Sequence, residues 1–146
     1  MKKRKIALIG CGLVGMSYAH SLLITGDADE LCMIDVDKKR LTGEIDDLCH
    51  ALPFAEKNTE IYMGSYTDCK DADIVVITAG SAQKAGEGRI SLLKRNREIF
   101  AQIIPHVMSS GFSGILIIAT NPVDLMIAYA RELSGLPYNR VIGSGT

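Results

Sequence analysis

The stretch Gly10-Cys11-Gly12-Leu13-Val14-Gly15 decides the fold of this chain. Its form, G-x-G-x-x-G, is a weak signal alone, and what stands on each side makes it specific. Before it, residues 5–9 form an apolar run of strand length. After it, residues 12–25 carry Leu13, Val14, Leu22 and Leu23 and read as a helix stopped at Gly26. A second short strand, residues 31–34, closes on Asp35, 20 residues beyond Gly15. Strand, glycine turn, helix, strand and acid in that order form the fingerprint of a dinucleotide-binding unit.

Each position has a physical task. Gly10 permits the tight turn, Gly12 lets the backbone approach a pyrophosphate, and Gly15 lets helix and strand pack closely. Unpaired N–H groups of the first helical turn then face the anion. Asp35 is expected to accept hydrogen bonds from the adenosine ribose hydroxyls. Beside a 2′-phosphate it would bring like charges together at a cost of about 1–4 kcal/mol. NAD is therefore expected rather than NADP, although Lys38, Lys39 and Arg40 stand close enough to soften the preference.

Outward from that unit the pattern repeats. Residues 38–51 are amphipathic through Leu41, Ile45 and Leu48, and Pro53 ends them. Residues 60–63 read as a strand. Residues 73–78 contain Ile74-Val75-Val76-Ile77, a β-branched run suited to a strand buried on both faces. A polar loop spans residues 79–88, and a helix over 90–109 turns Leu93, Ile99, Ile103 and Ile104 inward, with Pro105 near its end. A fifth strand covers 114–119, a helix covers 123–134 up to Gly135, and Val141-Ile142 open a sixth strand. Such alternation builds parallel neighbours joined by long crossovers. The expected fold is α/β, a Rossmann-type doubly wound parallel sheet of about six strands with helices on both faces. Residues 1–146 are expected to form one dinucleotide-binding domain, without linkers or repeats.

Composition narrows the function classes. The 146 residues hold 16 Lys+Arg against 17 Asp+Glu, a net charge of −1, so charge gives no reason to expect nucleic acid or a membrane surface as partner. No apolar run approaches the roughly 20 residues of a spanning helix. Lys2-Lys3-Arg4-Lys5 leads directly into the first strand and does not read as a secretory signal. Cys11, Cys32, Cys49 and Cys69 contain no CxxC pair, which points to reduced thiols, no metal site and a cytoplasmic protein.

Two further segments fall at the carboxyl ends of strands, where open α/β sheets bind ligands. The loop from Gly80 to Arg89 has the glycines of a hinged lid, with Gln83 and Arg89 able to enter a site on closure. On composition alone a plain solvated loop, with Arg89 paired to Glu87, is the more ordinary reading. Thr120-Asn121-Pro122 follows the fifth strand. Asn121 offers both a donor and an acceptor there, with Pro122 open to a cis bond, or it caps the next helix with Pro122 at the first helical position.

Several stretches taken together resemble the amino-terminal half of the L-lactate and malate dehydrogenase family without a gap from Lys5 to Thr146. They are KIALIGCGLVG, IDVD, DLCHA, YTDCKDADIVVITAG, QKAGEGR, IIATNPVD and VIGSGT. The resemblance implies an NAD-dependent oxidoreductase of fermentative metabolism. Gln83 stands where lactate dehydrogenases carry glutamine and malate dehydrogenases arginine. A second substrate carboxylate would want a cation there and a methyl group would not, so pyruvate and lactate are implied. Arg89 matches the catalytic loop arginine that polarises the substrate carbonyl, and Asn121 the asparagine contacting substrate and nicotinamide. Val14, Asp35, Arg40 and Tyr66 match positions at the pyrophosphate and adenosine end of NAD. Gly80, Ser81, Ala119, Thr120 and Ser144 match its nicotinamide half, and Gln102 a further cofactor position. Ala85 replaces the family's usual proline, Gly88 its threonine, and Ile90-Ser91 its leucine-aspartate; the freer backbone raises the ordering entropy of closure.

The resemblance also implies what lies beyond Thr146: a proton-donating histidine, the aspartate that orients it, and an arginine that clamps the substrate carboxylate. His20, His50 and His106 fall within predicted helices, away from strand ends. The chain is thus expected to be a cofactor-binding half that binds NADH weakly, turns nothing over alone, and exposes an apolar surface to its missing carboxy-terminal half. Full-length relatives of this kind are homo-oligomers, tetramers by expectation. Two alternatives stand: another L-2-hydroxy-acid dehydrogenase of the same family, or a non-catalytic NAD-binding module. The second leaves the Gln83/Arg89 loop and the Asn121 turn without a purpose.

Overall fold

A computed structural model describes residues 3–82 and 84–145. Six strands, β1 (Lys5–Ile9), β2 (Glu30–Ile34), β3 (Glu60–Met63), β4 (Ile74–Ile77), β5 (Ile115–Ile118) and β6 (Val141–Gly143), form one sheet. Their order is β3-β2-β1-β4-β5-β6, and every pairing is parallel. The chain therefore starts in the middle of the sheet, winds outward one way through β3, then crosses back to β4 and winds the other way. The carboxyl ends of β1 and β4 flank the reversal point, the place where such sheets bind ligands.

The crossovers are α1 (Leu13–Thr25), α2 (Lys38–Ala51), α3 (Arg89–Ser109) and α4 (Val123–Ser134). Strand residues alternate between two cores, as a period of two requires. Ile6 and Leu8 of β1 pack with Leu31, Met33 and Val76 under Ala19, Leu23, Leu41 and Leu48 of α1 and α2. Ala7 and Ile9 point the other way, with Val75, Ile77, Leu116 and Ile118, under Phe100, Ile104, Val107 and Met126 of α3 and α4. The central strands are buried on both faces, which is why they read as continuous apolar runs rather than alternating ones.

Strand and helix bounds fall within one residue of the sequence expectation at almost every end. Three short 3-10 turns were not anticipated. The longest, Tyr66–Asp71, is held by a capping box in which Ser65 and Asp68 bond each other's backbone, and it buries Cys69 in the sheet-facing core. Pro105 lies inside α3, four residues before its end at Ser109.

Candidate nucleotide-binding site

A cleft of about 380 Å³ opens at the reversal point between the glycine turn, the end of β2 and the middle of α3. Gly10, Gly12, Asp35, Arg40, Tyr66, Gly80 and Gln102 line it, seven of the residues singled out from the sequence. Gly10 adopts φ +93, and a Cβ there would lie 2.3 Å from the Ala79 nitrogen. Only glycine fits both demands. Gly15 is buried in α1, where a Cβ would sit 2.1 Å from the Gly10 carbonyl oxygen. That same oxygen accepts the Thr78 hydroxyl, so the turn is clamped from α1 and from β4 together.

The first turn of α1 has no side-chain cap and no acidic residue. Its orphan N–H groups are therefore not satisfied by the protein's own side chains, and Leu13 and Val14 stand 91% and 60% exposed above them. A Cβ on Gly12 would meet nothing within 4 Å, so the backbone there lies open to an approaching group. This is the donor set and the access that a pyrophosphate requires, and the residues present fit a dinucleotide.

Asp35 does more than the sequence suggested. Its Oδ2 accepts the Cys11 N–H at 2.7 Å and the Arg40 guanidinium at 3.0 Å, and its Oδ1 accepts the Asp37 N–H at 2.9 Å. Of about four acceptor positions on a carboxylate, one on Oδ1 is left for a ribose hydroxyl. A second ribose bond requires Arg40 to move. Asp37 in turn caps α2 by accepting the Arg40 N–H. Burial, and the Asp35 carboxylate after it, push the Cys11 thiol up to about 12, which keeps this cysteine of the glycine turn a neutral packing group.

The far wall of the cleft comes from Tyr66, stacked on His106 with ring centroids 5.5 Å apart and planes 18° from parallel. His106 thus stands behind an aromatic wall residue. Of the remaining sequence candidates, Val14, Ser81, Ala119, Thr120 and Ser144 are not among the residues lining this cleft. Thr120 is buried, its hydroxyl donating to the Ala79 carbonyl at 2.7 Å. Arg89 and Asn121 meet instead in a second cleft of about 640 Å³, beside Pro122, Val123 and Asp124. Gln83 lies outside the described residues. Among the described residues, no group of three or more His, Cys, Asp or Glu is placed to hold a metal. No helix among them is long and apolar enough to cross a membrane.

With this geometry in place, comparison with known proteins is direct. The lactate/malate dehydrogenase NAD-binding domain matches residues 4–143. The chain belongs to the lactate/malate dehydrogenase family. An L-lactate dehydrogenase of Bacillus cereus is 51% identical over 148 aligned residues, covering 100% of this chain and 47% of that protein. A lactate dehydrogenase from a Medee basin deep-sea metagenome superposes with a TM-score of 0.93 at 51% identity, over 100% of this chain and 46% of that one. The minor L-lactate dehydrogenase of Enterococcus mundtii, in its ligand-bound form, gives 0.94 at 43% identity, over 99% and 46%. This lactate/malate dehydrogenase chain thus spans about half the length of the relatives it matches. NAD is the cofactor of its domain family.

One feature of this family member was hidden in the sequence, and another was left there between two readings. Glu87 pairs with Arg95, not with Arg89: the two carboxylate oxygens lie 2.6 and 2.8 Å from the two terminal guanidinium nitrogens. Arg95 also donates to the Ala82 carbonyl at 3.0 Å, and the Lys84 N–H donates to Glu87 at 3.0 Å. These bonds hold the Glu87 carboxyl below the usual carboxylate range, the Lys84 N–H first among them and the Arg95 pair after it. The clasp is therefore complete at neutral pH and weakens as the pH falls. Arg89 has no ion-pair partner among the described residues. We expect Arg95→Gln to release the loop and raise the rate of tryptic cleavage after Lys84 several-fold, read by mass spectrometry of the nicked chain; an unchanged rate would show that the clasp restrains nothing. The other feature is the turn after β5. The Asn121–Pro122 bond is cis, and Pro122, rather than Asn121, is the residue that caps α4.

Proposed function

We propose that this chain is the NAD-binding half of an L-lactate dehydrogenase, which interconverts pyruvate and (S)-lactate. The observation that carries the reading is the uncapped first turn of α1 opening beside Asp35 in one cleft at the reversal point of the sheet. When bound, the nicotinamide cofactor supplies or accepts the hydride. The N–H groups of Leu13, Val14 and Gly15 hold its pyrophosphate. Asp35 takes the adenosine ribose, and Tyr66 and Gln102 bound the same end. Gly80, Ser81, Ala119, Thr120 and Ser144 belong to the edge of the sheet that the nicotinamide half would reach.

Arg89 is the residue that would polarise the substrate carbonyl. It is the first residue of α3, exposed, and shares a cleft with Asn121, so both face the same volume. A charge-assisted bond from Arg89 gains strength once the loop has excluded water. The neutral Gln83 suits the methyl group of pyruvate and would leave a second carboxylate without a cation. Ile90 and Leu125, 72% and 53% exposed beside this cleft, supply apolar surface for a carboxy-terminal half that would bring the proton donor and the carboxylate clamp. The four free cysteines suit a reducing compartment, and we assign the cytoplasm.

Titration of the 146-residue chain with NADH, followed by calorimetry or by nucleotide fluorescence, tests both parts. Saturable binding with no detectable lactate oxidation is expected. Absence of any nicotinamide nucleotide binding would overturn the assignment, and turnover by the isolated chain would overturn the division of labour.

A further inference from the structure

Asn96 lies on α3 and is 1% exposed, one of three polar residues in the buried set. Both polar atoms of its side chain are bonded to loops from other elements. Oδ1 accepts the Ser81 N–H at 2.8 Å, and Nδ2 donates to the Asn121 carbonyl at 2.6 Å. Ser81 follows β4 and Asn121 follows β5, so one amide ties together the two strand ends on the β4 side of the glycine turn. A Cβ on Gly80 would lie 2.6 Å from the Thr120 side chain and 3.4 Å from Asn96 Oδ1, which shows how closely the three segments meet. The task needs one acceptor and one donor about 2 Å apart in a plane, which a side-chain amide supplies, here on a residue that is itself buried.

We infer that Asn96 is a positioning residue for the nicotinamide half of the site, fixing the Ser81 amide and the Asn121 backbone so that the Asn121 side chain is aimed at the ligands. The inference rests on the NAD-binding reading above. The topology gives it a direction: Asp35 and Arg40 sit on the β2 side of the glycine turn, and the Asn96 tie sits on the β4 and β5 side. Loss of the tie is therefore felt by the part of a dinucleotide lying over β4 and β5, and not by the adenosine end.

The two ends are separable with two probes, NADH and ADP-ribose, the second of which lacks the nicotinamide. Asn96→Ala removes both bonds and leaves two polar backbone groups facing a small void. Asn96→Asp keeps the volume and the acceptor for Ser81 but sets an oxygen against the Asn121 carbonyl. For each variant, titrated well below its unfolding transition, NADH binding is expected to weaken about tenfold while ADP-ribose binding stays at the wild-type value. A parallel loss for both probes would mark Asn96 as a general support of the fold and overturn the inference, as would no loss for either. Wild-type protein that binds neither probe would instead defeat the NAD-binding reading itself. Should both variants fail to fold, amide exchange on the wild-type chain decides: the Ser81 N–H is expected to be protected, and free exchange at that amide would refute the tie.

Discussion

Gly15→Ala is expected to destabilise the chain by about 1–3 kcal/mol, against the direction that helix propensity alone would give. Alanine in place of glycine inside a helix is worth about 1 kcal/mol in favour of the substitution. The new Cβ, however, would lie 2.1 Å from the Gly10 carbonyl oxygen and 2.8 Å from Thr78 Oγ1. Neither neighbour is the loose end of a long side chain. The Gly10 carbonyl belongs to a turn at φ +93 packed against Ala79, so α1 has to move instead. Overpacking of this kind costs about 1–3 kcal/mol, and disturbing the Thr78 hydrogen bond adds about 1 kcal/mol. The displacement also carries the first-turn N–H groups away from the cleft, so NADH affinity falls with stability.

Gly12→Ala separates the two effects. A Cβ at that position meets nothing within 4 Å of the protein, yet the residue lines the cleft. Stability is expected to change by less than about 1 kcal/mol, the scale of an N-cap substitution. NADH binding is expected to collapse, because the methyl group occupies the space the pyrophosphate needs. Urea denaturation and NADH titration of the two variants check the pair. Wild-type stability in Gly15→Ala would mean that the close packing of helix on turn is not what glycine supplies there.

The contrast between these glycines shows where the sequence was legible. The G-x-G-x-x-G turn, the apolar strands and the acid at the end of β2 are local signals, because each residue's role is set by its neighbours in the chain. Gly10, Gly12 and Asp35 line one cleft for that reason, whereas Arg40, Tyr66, Gly80 and Gln102, which line it with them, were singled out only through the family resemblance. Arg95 and Asn96 were not legible. Two polar residues in a row on an amphipathic helix read as its solvent side, and only the folded arrangement shows that one faces Glu87 and Ala82 while the other faces Ser81 and Asn121. The Tyr66–Asp71 turn was missed because Asp68 closes its capping box where a glutamate or glutamine is the usual signal. Asp35 lines the cleft, but its other bonds were not legible: the one to Cys11 depends on how β1 and β2 pair, and the one to Arg40 on how the first turn of α2 leaves β2.

That double duty makes Asp35→Ala the most informative substitution on the adenosine side. Truncation leaves the Cys11 N–H without its acceptor next to the buried end of β1, which costs about 1–3 kcal/mol of stability. It also frees the Arg40 guanidinium, now 3.0 Å from the carboxylate, and removes the negative charge that opposes a 2′-phosphate. NADH affinity is expected to fall by at least about tenfold from the loss of charge-assisted ribose bonds. NADPH is expected to lose far less, so the ratio of NADPH to NADH affinity rises by about tenfold or more as the like-charge contact disappears and Arg40 becomes a phosphate partner. Stability and the two affinities, measured on the same preparation, distinguish the roles. Should both nucleotides weaken equally in step with the loss of stability, Asp35 would be a staple of the glycine turn and nothing more, and the choice between NAD and NADP would have to be made elsewhere. A rise in the ratio on its own, with the chain still folded, puts the Asp35–Arg40 pair beside the ribose 2′ position, because a staple that only holds the turn has no means of telling a 2′-hydroxyl from a 2′-phosphate.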